Sequence, residues 1–373
     1  MNNRERILAI LNHQTPDRIP WIPRLELWYN ARVKSGSLPE AWRGFTLRQV
    51  EKALNLGTPA RNGHVYRVEY DGMEIATSHQ DHQTITEYHT PLGTLRQVVT
   101  SSQELSDQGI QGLMKEHFLK TARDYPLLEW VVEHMRVVPT YDEYRAYDEE
   151  IGEDGLPMVS MATSPFWDFL EVFAGFDHAY YHLADYQHEV EHLLGLMEEV
   201  YRERLWPVVA ESPAQMVLTD AHLNSQLTPP RLFDKFLIPY HRDLSALLRS
   251  RGKWPVLHAD ADTSSILSHI ERGGWEMAEC FVTAPMVAMT LAKARQAWGK
   301  RITIWGGIPS VLLSSSTPED VFRSSVEDMF RTVAPGDAFI LGIADNVMPD
   351  SLIERVAWIS EFVEENGGYP LKN

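Results

Sequence analysis

Residues 215–258 read QMVLTDAHLNSQLTPPRLFDKFLIPYHRDLSALLRSRGKWPVLH. Short apolar runs, Gln215–Thr219 and Pro255–His258, stand at the two ends, with a helical pattern over Pro229–Ser250 between them. Runs that are apolar on both faces belong to a sheet covered on both sides, and strand–helix–strand repeats build such sheets in parallel. The alternation continues outward. Ile19–Leu25 and Pro157–Ala162 read as strands before this stretch, and Met277–Phe281, Ile302–Trp305 and Ala338–Ile343 as strands after it. Helical patterns at Tyr186–Arg204, Leu291–Gly299 and Thr317–Thr332 fall between them. The first carries Val190, Leu193, Leu194 and Met197 on one face at helical spacing. The last opens with Thr317 as expected N-cap and Pro318 in the first turn. A chain with this many βα units is expected to close into a (β/α)8 barrel rather than an open sheet. One domain over residues 1–373 is expected. Val65–Val99 breaks the rhythm and reads as β-hairpins, with TPLGTL (Thr90–Leu95) as a turn, inserted on that barrel.

The 373 residues carry a formal net charge of −18, which works against a nucleic-acid partner because phosphate backbones are held by surplus Lys and Arg. Apolar residues at 44% and charged residues at 23% are near the average for a globular protein. The one cysteine, Cys280, excludes an internal disulfide and any metal site built from several thiolates. It reads as a small buried residue. The opening MNNRERILAILNHQ has an apolar run too short for a signal segment, and no stretch is apolar enough over ~20 residues to span a bilayer. The expected location is the cytoplasm.

In a barrel of this type, chemistry gathers where strands end. The expected strand ends carry Arg24, Glu26 and Trp28; Asp220, His222, Asn224 and Gln226; His258 and Asp260; Glu279; Trp305-Gly306-Gly307; and Asp345-Asn346. His258, Asp260, Glu279 and Asp345 form the sharpest set. One imidazole with two or three carboxylates suits Zn²⁺, Fe²⁺ or Mn²⁺. The alternative is hydrogen-bonded polar residues with no metal, where Asp345 or Asp220 accepts a proton and His222 or His258 donates one. Arg24 suits a carboxylate or phosphate, which a guanidinium binds bidentately, or else an acid such as Glu26. Trp28, Tyr29, Phe166, Trp167 and Trp305 are candidates for an aromatic wall, or for ordinary core. Gly306 and Gly307 allow a close backbone approach to a ligand, or a tight turn. Two weaker patterns stand apart. His188-Glu189-Val190-Glu191-His192 matches the zinc-protease helix spacing, and also fits the polar face of an acidic helix. His79, Asp81, His82 and His89 form either a metal clip or a solvated hairpin face. No GxGxxG or phosphate-loop motif occurs.

Several stretches resemble the uroporphyrinogen decarboxylase-like superfamily: RERILAILNHQTPDRIP, TPLGTL, the segment from Asp220 through SQLTPPRLFDKFLIPYHRDL, GKWPVLHAD, WGGIPSVLLSSSTPEDVFRSSVEDM and PGDAFILGIADNVMPD. The resemblance implies a (β/α)8 barrel and one of two activities. The decarboxylases carry an RQAGRY-like segment and an FSD-like motif. Here PRLELWYNARV replaces the first, and no FSD occurs. The other branch is corrinoid-dependent methyltransferases, which hold zinc with H-x-C and a distant Cys. Here the pattern is His258-Ala259-Asp260, with Asp345 near the place of the distant Cys. That resembles the O-demethylase members, which hold zinc with Glu, Asp and His. The resemblance therefore implies methyl transfer from a small donor, of aryl methyl ether or methylamine type, to a corrinoid on a partner protein. Zn²⁺ is expected on His258, Glu279 and Asp345. Asp220, His222 and Asp260 are the catalytic candidates. Arg24, Glu26, Trp28, Asn224, Gln226, Trp305 and Asn346 are the candidates for binding substrate. The alternative is a metal-free decarboxylase acting on a small acidic substrate. A homodimer is also expected, as the family often forms one.

Overall fold

The β-like runs between residues 157 and 344 are strands in the computed structural model, which describes residues 1–103 and 112–372. In chain order the strands are β1 (Tyr66–Tyr70), β2 (Glu74–Gln80), β3 (Gln83–Thr90), β4 (Gly93–Thr100), β5 (Leu113–Glu116), β6 (Met135–Pro139), β7 (Met158–Ser160), β8 (Met216–Ala221), β9 (Trp254–His258), β10 (Met277–Phe281), β11 (Thr303–Pro309) and β12 (Phe339–Ala344). The chain falls into two compact units, one of residues 1–63, 144–160 and 214–373, the other of residues 64–143 and 161–213.

The first unit holds a six-stranded sheet in the order β12-β11-β10-β9-β8-β7, every pair parallel. Both edges of this sheet carry a further parallel bridge, Trp21 beside Leu341 and Gly63 beside Val159. The expected strand at Ile19–Leu25 is thus a bridge with two ladder bonds, Ile22 N–H to the Leu341 carbonyl and Leu341 N–H to the Pro20 carbonyl, both 2.9 Å. Pro20 and Pro23 explain the short pairing, since neither has an N–H to give a ladder. Sheet side chains Met158, Met216, Leu218, Val256, Met277, Trp305 and Ile340 cluster with Ile7, Ile10 and Leu11 of the N-terminal helix Asn3–Leu11. That helix is closed by a capping box of Asn2 and Glu5.

Two expected helices contain a widened π turn with a shared cause. Tyr201–Leu205 and Phe233–Leu237 are π turns, and each is followed two residues later by proline, Pro207 and Pro239. A proline cannot donate to the ladder, and the turn before it widens to compensate. Thr317 does not cap its helix. The helix runs Glu319–Val333 with Pro318 at the N-cap, and the Thr317 hydroxyl donates instead to the Val311 carbonyl at 2.8 Å.

In the second unit, β1 pairs with β6 in antiparallel fashion, and β2-β3-β4-β5 form an antiparallel sheet. The turn at TPLGTL joins β3 to β4, with Thr90 opposite Gly93. The β-rich region therefore reaches beyond Val99 to β5 and β6. His79, Asp81 and His82 are exposed. The His79 and His89 rings bond to Thr84 and Thr94 across the strands at 3.1 and 3.0 Å, so this face is a solvated one. His188 and His192 lie on the outer face of helix Gln187–Val200 with rings stacked 6.4 Å apart, and His192 reaches Glu129 at 2.8 Å. Among the described residues, the groups able to hold a metal with three ligands all lie elsewhere. Phe166 and Trp167 are buried in this unit.

Candidate functional site

β9 ends in His258 and β10 carries Glu279, and the two are register partners. Side chains at paired positions of adjacent parallel strands share a face, so the imidazole and carboxylate meet. His258 Nδ1–H donates to Glu279 Oε2 at 2.7 Å. The other Glu279 oxygen accepts from Arg61 Nη1 at 2.8 Å. The far side of the ring, Nε2, faces Asp260 Oδ2 at 3.3 Å and Asp345 Oδ1 at 3.7 Å. Asp260 is itself gripped by His222, whose Nδ1 lies 2.7 and 2.8 Å from its two oxygens. A register shift between Leu218 and Asp220, with a left-handed His222 (φ 57°), brings that ring over from β8. Arg24 forms an ion pair with Asp345 and lies 3.4 Å from Cys280 Sγ.

Electrostatics follow from burying these charges together. Burial works against a charged His258, yet the Glu279 carboxylate and the Asp260 hydrogen bond outweigh it, and its pKa stands well above that of an ordinary histidine. Burial likewise opposes the Glu279 and Asp260 carboxylates. Arg61 and His258 hold Glu279 well below the usual carboxylate range, and His222 and His258 do the same for Asp260. Burial, with Glu279 alongside, pushes the Cys280 thiol up to about 12, so it is neutral near pH 7. Cys280 is not an inert filler. Its Sγ donates to Glu279 Oε1 at 3.0 Å and lies 3.3 Å from Arg61 Nη1.

Of the residues expected from sequence, His258, Glu279, Asp260, Asp345, His222 and Arg24 converge. Asn346 joins them by donating to Asp345 Oδ2 at 2.7 Å. Others are engaged elsewhere. Asp220 is fully buried against His241 Nε2 at 2.7 Å and accepts from the Ala221 N–H. Trp305 is 3% exposed, with its indole N–H on the Ile22 carbonyl at 3.0 Å, and Trp28 is 1% exposed, bonded to the Ser351 carbonyl. Both are core residues. Asn224 caps its own loop by accepting from Gln226 and Leu227 N–H, and Gln226 is exposed. Gly306 and Gly307 lie within β11 rather than in a turn, and a Cβ on Gly306 would meet the Phe281 backbone nitrogen at 2.7 Å. They serve strand approach. Glu26 opens helix Glu26–Lys34 and is exposed, at the wall of a cavity that Arg24 and Arg61 also line. Arg61 was not legible beforehand, because PARNG has no apolar run to mark it as a strand end.

His222, His258 and Asp260 present ligand atoms all within 4.8 Å of one another, as do His258, Glu279 and Cys280. A divalent cation fits this chemistry best on the Nε2 side. Nδ1 and both Glu279 oxygens are already occupied, whereas Nε2 faces two carboxylates.

The model of the uroporphyrinogen decarboxylase (URO-D) family matches residues 109–366. The chain belongs to the uroporphyrinogen decarboxylase family. A solved methyltransferase from Methanosarcina mazei shares the fold of this URO-D family member at TM-score 0.58 and 14% identity, over 98% of this chain and 99% of that one. A dipeptide epimerase from Methylococcus capsulatus, solved with Mg ion, aligns at TM-score 0.23 and 14% identity over 78% of this chain and 79% of that one, too low to bear on this fold. No curated protein matches by sequence. Among the described residues, no helix is long and apolar enough to cross a membrane.

Proposed function

We propose that this URO-D family member is a metal-assisted methyltransferase that moves a methyl group from a small methylated donor, of aryl methyl ether or methylamine type, to a corrinoid carried on a partner protein. The observation that carries the reading is the one-sided engagement of His258. Glu279 holds Nδ1 at 2.7 Å, and Nε2 faces Asp260 and Asp345. A carboxylate on the far nitrogen fixes the tautomer and ring orientation that a metal-bound histidine needs. His258, Asp260 and Asp345 would hold Zn²⁺. Glu279 and Arg61 orient His258, His222 steadies Asp260, and Arg24 steadies Asp345. Bound zinc would supply Lewis acidity toward the leaving heteroatom, given a coordination position left for the donor. We further propose that the parallel series from Trp21 to Gly63 closes as a (β/α)8 barrel, that residues 1–373 act as one domain, and that the enzyme works in the cytoplasm as a homodimer.

The test supplies Co(I) cobalamin and a panel of methyl ethers and methylamines to zinc-loaded protein. Methylcobalamin is expected with the parent and not with His258→Ala. No methylcobalamin from any donor would sink the reading. A second reading has its own support: the buried His258 imidazolium between arginine-braced acids needs no metal to manage a proton. It is a decarboxylase on a small acidic substrate, and CO₂ release without cobamide would favour it.

A further inference from the structure

Behind the two arginines of the site lies a cavity of about 170 Å³ within the first unit, whose charged walls are Arg24, Arg48 and Arg61 on one hand and Glu26, Glu51 and Glu150 on the other. It is well below the ~300 Å³ of the smallest drug-sized pockets, a size that suits a small metabolite and not a tetrapyrrole. Its walls offer donors. Both side-chain hydrogen bonds of Arg24 run through Nη1, to Asp345 and Cys280, which leaves Nε and Nη2 to a ligand. Arg61 engages Glu279 and Cys280 through Nη1, its Nη2 lies 3.5 Å from His258 Nδ1, and its Nε is left to a ligand. Arg48 binds the Glu150 and Ile151 carbonyls and Asp154 through its outer nitrogens, and its Nε is buried with no partner. Glu51 is 1% exposed and accepts from the Thr58 hydroxyl at 2.7 Å.

We propose that this cavity binds a small carboxylate, its oxygens taken by the open edges of Arg24, Arg48 and Arg61 and by the Glu51 carboxyl as a hydroxyl donor. Convergent guanidinium edges suit a planar oxyanion, and a buried donor left without an acceptor is costly. The proposal rests on the functional reading above and names the anchoring group of the donor. Arg24 and Arg61 touch the cavity on one side and the acids around His258 on the other, so a carboxylate seated here lies one guanidinium away from His258. Glu51 supports this assignment. Burial raises its pKa to about 7, with Thr58 and Arg48 opposing and Asp154 and Glu26 adding to the rise, and Lys52 is paired to Asp154.

The experiment is calorimetric titration of the metal-free protein with benzoate, benzamide and inorganic phosphate, at pH 6 and pH 8.5. It reads neither zinc nor methyl transfer, so its failure leaves those results standing and theirs leave it standing. Benzoate is expected to bind at least about tenfold tighter than benzamide or phosphate. Its affinity should fall about 30-fold between the two pH values as Glu51 loses its proton, and by less than about twofold in Glu51→Gln, whose amide still donates. Equal binding of benzoate and benzamide, tighter phosphate, no binding of benzoate, or a pH effect unchanged in Glu51→Gln would each overturn the proposal. The benzoate–benzamide comparison needs no variant and stands even where Glu51→Gln fails to fold.

Discussion

The acids around His258 hold a proton in the metal-free protein, and the same acids would hold a cation. Glu279 on Nδ1 is the strongest lever on that proton, because it is 1% exposed and paired at 2.7 Å. Removing its charge while keeping its shape, as in Glu279→Gln, is expected to lower the His258 pKa by at least about one unit, read by the imidazole nitrogen shifts in NMR. An unchanged titration would show that the acids facing Nε2, Asp260 and Asp345, set it. The sign for stability follows. His258, raised when folded, contributes fully below about 6.5 and its contribution is lost as pH climbs through its folded value. Asp260 and Glu279, depressed when folded, contribute above the ordinary carboxylate range and lose that contribution as pH falls. The metal-free protein is therefore most stable between these limits. Glu51 works the other way for a carboxylate. Its pKa rises from 4.5 to about 7, so the native state binds the proton more tightly and stability declines as pH rises from 4.5 through 7. Glu51→Gln is expected to remove that decline and to add on the order of 3 kcal/mol at pH 8 relative to the parent. Denaturant unfolding at pH 5 and pH 8 checks it, and equal gains at both would reject the assignment.

At the scale of elements, β10 and β11 show what the sequence could and could not reveal. Met277–Phe281 was legible as a strand because five consecutive residues, all buried in the sheet, form a run without alternation. Trp305-Gly306-Gly307 was ambiguous, since glycine serves a ligand, a turn or a neighbouring strand alike. The sheet decides for the strand: Gly306 sits at φ 141° opposite Phe281, at the register shift between β10 and β11. A methyl group there must displace backbone rather than a flexible side chain. Gly306→Ala is expected to cost about 2–4 kcal/mol in unfolding free energy, from close contact and strained backbone together. A cost below ~0.5 kcal/mol would mean that the two strands separate freely at this point. The helices show the complementary limit. Periodicity located Tyr186–Arg204 and Pro229–Ser250, but their π turns each stand two residues before a proline with no N–H to give, which a hydrophobic pattern does not register.

At the scale of the whole molecule, the alternation of apolar runs and helices was enough to place six site residues at adjoining strand ends. It could not place Arg61, Glu51 or His241, whose importance arises only from burial beside a charge. Asp220 makes the same point in reverse: at a strand end by sequence, it is turned inward onto His241 and away from solvent. The remaining question is whether a proton or a cation occupies the centre, and the two exclude each other. A metal takes imidazole in its neutral form, so loading must expel the His258 proton. With that pKa well above 6.5, zinc binding at pH 7 is expected to release about one proton per metal. Calorimetry in two buffers of different ionisation enthalpy measures the release directly. His258→Ala is expected to lose both the stoichiometric zinc and the proton. Zinc bound at one equivalent without proton release would place the ion away from His258. No zinc bound at all would favour the proton as the permanent occupant and the acid–base reading with it.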